Sequence, residues 1–63
     1  MNIKRKRLEA GFTQIDLANK LEIDRSTVAK WETGESFPRA EKLIQLAEVL
    51  NCTIDDLLRD KDV

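Results

Sequence analysis

At 63 residues the chain has room for one small domain, because a core of this size supplies only about 3 to 5 kcal/mol, and a further catalytic or sensor domain within it is excluded. Hydrophobic residues at 41% and charged ones at 37%, with two Gly and one Pro, describe a compact helical unit that folds alone; no apolar run reaches membrane-span length and the N-terminus has no signal-peptide pattern, so a cytoplasmic chain is expected. The net charge of -1 conceals nine Lys or Arg against seven Asp or Glu in residues 1–42 and two against five in residues 43–63, so any anionic partner meets the first two-thirds, with the acidic end turned away.

Apolar residues recur every three or four positions almost throughout, without repeats or low-complexity segments, and no strand is predicted. The first helix is predicted over residues 2–10 and stops at Gly11, which takes positive φ without a Cβ penalty. The second, over 14–21, starts from Phe12-Thr13 before Leu17: the Thr13 hydroxyl accepts from an orphan backbone N–H, Phe12 packs on the first turn, and Asp16 answers the cap. The third, over 25–33, starts from Ile23-Asp24 before Val28, with Asp24 as the capping acceptor, and ends at Gly34. Pro38 stiffens the approach to the fourth, over 40–50, which ends at Asn51, the next best residue for a left-handed backbone. The fifth, over 54–59, starts from Cys52-Thr53 before Leu57, with Asp56 in the place that Asp16 holds in the second. Residues 60–63 are expected to be a frayed tail, leaving a core from 3 to 58.

The fourth helix carries Leu43, Ile44, Leu46, Ala47, Val49 and Leu50, a wider arc than one packing face needs, and is expected to be central. Leu8, Phe12, Leu17, Ala18, Leu21, Val28, Trp31 and Leu57 complete the expected core, where the Trp31 indole N–H needs an acceptor.

Catalysis finds little support. The chain has no His, so Cys52, Ser26 and Thr27 have no imidazole base, and the single Cys makes neither an internal disulfide nor a zinc site; no enzymatic activity, catalytic residue, metal or cofactor is expected.

The ordered set Thr13-Gln14, Leu17-Ala18, Leu21, Arg25-Ser26-Thr27-Val28, Trp31-Glu32-Thr33-Gly34 and Pro38 resembles the Cro and repressor helix-turn-helix family, often called the XRE family, over Ile3 to Leu58. The resemblance implies a compact, all-α, five-helix lambda-repressor-like domain with the helix-turn-helix in helices 2 and 3. It also implies a transcriptional regulator, a repressor that binds double-stranded DNA as a dimer on a two-fold operator.

By the same resemblance Gln14 is matched to a phosphate contact at the start of the second helix, Arg39 to a backbone contact in the third-to-fourth loop, and Arg7 and Glu32 to a salt bridge between helices one and three. Arg25, Ser26 and Thr27 match the first turn of the recognition helix, with Lys30 one turn on; Arg25 has the chemistry to hold guanine O6 and N7 with both arms. Asp24 is read as a cap, with cytosine N4 as its alternative partner. In the basic run Lys4-Arg5-Lys6-Arg7 the side chains point in different directions, and Lys4, Lys6 or both are expected to flank DNA.

Two positions depart from the family pattern. Glu22 stands where glycine is usual, so the turn is either strained or differently shaped, and Ile15 replaces a polar residue and makes an exposed apolar contact site. The low net charge and Ile15 support a second reading, a protein-interaction module such as an antitoxin, with DNA binding secondary. A homodimer on DNA is expected to pair near helix five, through Ile54, Leu58 and the loop at Asn51 and Cys52.

Overall fold

The computed structural model describes residues 1–59, and within them the chain forms five α-helices and no strand. They are α1 (Ile3–Glu9), α2 (Gln14–Leu21), α3 (Arg25–Thr33), α4 (Ala40–Val49) and α5 (Ile54–Leu58), each within one residue of its predicted ends. The tail expected over 60–63 lies outside the described residues.

Reciprocal caps start two of the helices. Thr13 Oγ1 accepts from the Asp16 N–H at 3.0 Å while Asp16 Oδ2 accepts from the Thr13 N–H at 2.9 Å, and Thr53 and Asp56 repeat the arrangement at 3.0 and 3.1 Å. Because the backbone N–H of Thr13 or Thr53, and then its hydroxyl, favours the ionised acid, Asp16 and Asp56 both titrate below the usual carboxylate range. Asp24 corrects the third expected cap. It occupies the N-cap of α3 in extended backbone, but its side chain makes no capping bond; the Thr27 N–H donates to the Asp24 carbonyl at 3.0 Å instead.

Ile3, Leu17, Val28, Leu46 and Leu57 are completely buried, and Ala18, Leu21, Trp31 and Leu50 surround them. No buried side-chain nitrogen or oxygen among the described residues lacks a partner. Phe12, Leu43, Ala47 and Val49 are partly buried against this core, whereas Leu8 is 58% and Ile44 51% exposed, contrary to expectation. Helix rotation explains both. The inward face of α1 holds Ile3 and Arg7, four residues apart, so the next residue, Leu8, lies about 100° round the axis. On α4 the Leu43, Leu46, Leu50 stripe faces in and turns Ile44 away.

The central role expected for α4 is therefore shared: α4 packs on α2 and α5, but Leu46 is the only residue within its span that is fully enclosed, against Leu17, Ala18 and Leu21 in α2. The first and last helices are tied by the Asn2 N–H, which donates to the Leu57 carbonyl at 2.9 Å, and by Asn2 Nδ2, which donates to the Asp56 carbonyl at 3.2 Å. None of the described helices is long and apolar enough to cross a membrane.

Candidate nucleic-acid interface

Three residues, Glu22 to Asp24, connect α2 to α3. Glu22 takes the left-handed conformation (φ 58°, ψ 46°), and its N–H closes the end of α2 on the Ala18 and Asn19 carbonyls. The Ile23 N–H also returns to the Ala18 carbonyl, at 3.0 Å. Chain reversal at this point sets α3 across α2, with Leu17, Ala18 and Leu21 buried on one side of the junction and Val28 and Trp31 on the other. Lys42 reinforces the bend from α4, donating from Nζ to the Leu21 carbonyl at 3.0 Å.

With Val28 and Trp31 facing inward, α3 leaves Arg25, Ser26 and Lys30 exposed and Thr27 half-buried. Arg25 does not wave freely: Nη1 donates to Gln14 Oε1 at 3.1 Å. Gln14 Nε2 in turn donates to Glu32 Oε1 at 2.9 Å, and Glu32 receives Arg7 through Nε at 2.6 Å and Nη2 at 3.3 Å. Arg7 Nη1 also donates to the Phe12 carbonyl at 2.8 Å. The Arg7 and Glu32 side chains are 8% and 4% exposed, so this pair is a shielded anchor from which polar contacts run outward to the first turn of α3.

Arg39 is exposed at the start of α4 and shares a groove of about 300 Å³ with Thr27, Phe37 and Pro38. Lys4 is exposed on α1. Lys6 lies apart from the α2–α3 group: its ammonium is 3.5 Å from Glu9 and near enough to Cys52 and Asp56 to favour the ionised form of each. At the α5 end, Asn51 is exposed with φ 54°, Ile54 and Leu58 are 37% and 53% exposed, and Cys52 is partly covered, with its thiol pKa raised chiefly by burial.

Sequence reasoning did not find the Gln14 bridge, the Lys42 bond to Leu21 or the exposure of Phe37. The first two depend on long side chains meeting across helices, for which local spacing carries no signal.

A helix pair joined by so short a left-handed turn, with the second helix exposing its first turn, is a helix-turn-helix unit. The family described as helix-turn-helix matches residues 3–57. Among curated relatives, the transcriptional activator BcrR of Enterococcus faecalis is 34% identical over 98% of this chain and 31% of its own length. The regulator DicA of Escherichia coli is 37% identical over 81% of the chain and 38% of its own length, and the 26 kDa repressor of Escherichia phage HK022 is 45% identical over 64% and 17%. This chain thus spans well under half of each relative. No solved structure gives a significant match. The chain belongs to the helix-turn-helix family of the XRE type, a family of DNA-binding transcription regulators.

Proposed function

We propose that the chain is a sequence-specific transcriptional repressor, acting in the cytoplasm, that reads the major groove of double-stranded DNA with α3. The observation that carries this reading is the exposed Arg25 guanidinium, held by Gln14 at the first turn of α3 and backed by the buried Arg7–Glu32 pair. A held guanidinium loses less freedom on gripping a guanine edge than a mobile one. Ser26, Thr27 and Lys30 read neighbouring positions, while Gln14, Arg39 and Lys4 meet phosphates. Repression, rather than activation, rests on relatives named as repressors.

Two copies on a two-fold operator complete the proposal. The domain measures 30 × 22 × 20 Å, so two fit side by side on half-sites about 34 Å apart. Exposed Ile54 and Leu58, with the Asn51–Cys52 loop, are the proposed contact between them.

Selection of duplexes from a random library by the full chain tests the reading: a two-fold consensus is expected. Sequence-indifferent, weak binding would favour the second reading, a protein-interaction module, for which the exposed aliphatic surface at Leu8 and Ile15 speaks.

A further inference from the structure

The proposed DNA face offers four exposed cations, Arg25, Lys30, Arg39 and Lys4, in a chain of net charge -1. Arg7 is taken up by Glu32, Lys6 lies by Glu9, and Lys42 is held by the Leu21 carbonyl and Gln45. Counterion release, the usual main source of affinity for DNA, is correspondingly limited here.

What the face has instead is apolar surface on both sides of the α3 first turn. Arg25 and Thr27, two residues apart and so about 200° round the helix, open onto different grooves. The Arg25 groove, about 550 Å³, is lined by Leu8, Phe12 and Ile15 together with Gln14. Phe37 walls the Thr27 groove of about 300 Å³, where the charged lining is Arg39 and Lys42 and carries no carboxylate. Ile15 is 56% and Phe37 68% exposed, and neither belongs to the core.

Each of these side chains shares its groove with a proposed phosphate ligand, Ile15 with Gln14 and Phe37 with Arg39. In a nucleotide the deoxyribose is bonded directly to the phosphate. A side chain that shares a groove with a phosphate ligand is therefore within reach of sugar carbons, which offer apolar surface at any base sequence. Of the other exposed large apolar side chains among the described residues, Leu8 shares the first groove, whereas Ile44, Ile54 and Leu58 line neither.

We propose that Ile15 and Phe37 are DNA-contact residues, packing on deoxyriboses of the backbones that border the major groove and supplying affinity that salt does not weaken. This rests on the DNA reading above and adds two residues and a source of binding energy to it.

The test uses the full chain and the duplex it selects, with affinities measured between about 50 and 200 mM salt. Ile15→Ala and Phe37→Ala are each expected to weaken binding about fivefold to tenfold, on selected and unrelated duplexes alike, with the log-log salt slope unchanged. Thermal unfolding should stay at the parental midpoint, since both residues lie outside the core. If an alanine variant is destabilised, Phe37→Leu against Phe37→Gln, and Ile15→Val against Ile15→Gln, should give the same split, with the apolar replacement retaining affinity. Parental affinity in the alanine variants would overturn the proposal while leaving the DNA reading intact, as would a loss confined to self-association or a change in salt slope. If the parent selects no duplex, both fall together.

Discussion

Arg7 and Glu32 form a two-point ion pair, 2.6 Å at its shorter contact, between α1 and α3 in a site almost closed to water. Each partner has another contact to keep: Arg7 holds the Phe12 carbonyl just before α2, and Glu32 accepts from Gln14 at the start of α2. One buried pair therefore fixes the two helices of the helix-turn-helix unit relative to α1.

Removing either partner leaves the other charge buried without compensation, so Arg7→Ala or Glu32→Ala is expected to cost about 3 to 5 kcal/mol. Exchanging both for well-packed apolar residues, Arg7→Met with Glu32→Leu, should recover much of that loss. A double-mutant cycle from urea unfolding measures it, and strict additivity would mean that the pair contributes no coupling.

At Glu22 the Cβ penalty of a left-handed backbone is real, with φ at 58°. Its carboxylate also stands at the negative end of α2, where a like charge is unfavourable. The Leu21 carbonyl keeps its Lys42 partner whatever occupies position 22. Glu22→Gly is therefore expected to stabilise the fold by up to about 1 kcal/mol. Asn51→Gly, at φ 54°, should gain less, because asparagine tolerates this region. Urea midpoints of the two variants compare them directly, and a less stable Glu22→Gly would contradict the strain argument.

Asp16 and Asp56 give the acid limb of stability a defined sign. Both titrate lower in the folded chain than unfolded, so between those two values the unfolded state binds more protons and stability rises with pH. The contribution is complete above the ordinary carboxylate value, about pH 4, and is lost as pH falls through the lowered folded value. The double variant Asp16→Asn with Asp56→Asn should lose stability near neutrality and show a flatter acid limb, converging on the parent in acid. Parallel pH profiles would show that the reciprocal caps do not couple to titration.

Helix ends were legible in the sequence because their causes are local: a threonine with an aspartate three residues on, or a glycine after a periodic stretch, acts within a single turn. Rotation about each helix axis was less so. Leu8 and Ile44 fit an apolar pattern as well as Ile3 does, and only packing between helices decides that Ile3 goes inside. The Arg7–Glu32 contact came from the family resemblance, since 25 residues separate the partners. Nothing in the spacing of Gln14 foretold that its amide would bind Glu32 on one side and Arg25 on the other.

That double engagement sharpens the last prediction, which separates the roles proposed on DNA. Arg39 is exposed at the loop, and a phosphate contact there releases counterions at any sequence. Arg39→Ala should thus weaken all duplexes alike and make the log-log salt slope shallower by about 0.9 per lost contact. Arg25→Ala should instead relax preference at one or two base pairs of each half-site, costing about 1 to 3 kcal/mol on the best duplex and less on others. Gln14 is neutral, so Gln14→Ala should lower affinity with little change in slope. Because Gln14 Oε1 holds the Arg25 guanidinium, Gln14→Ala should also blur the same base positions, and its effect should shrink once Arg25 is already alanine. Binding measured across a panel of single-base variants and several salt concentrations reads all three signatures. An unchanged ranking of sequences in Arg25→Ala, with an altered ranking in Arg39→Ala, would reverse the roles assigned to the recognition helix and the loop.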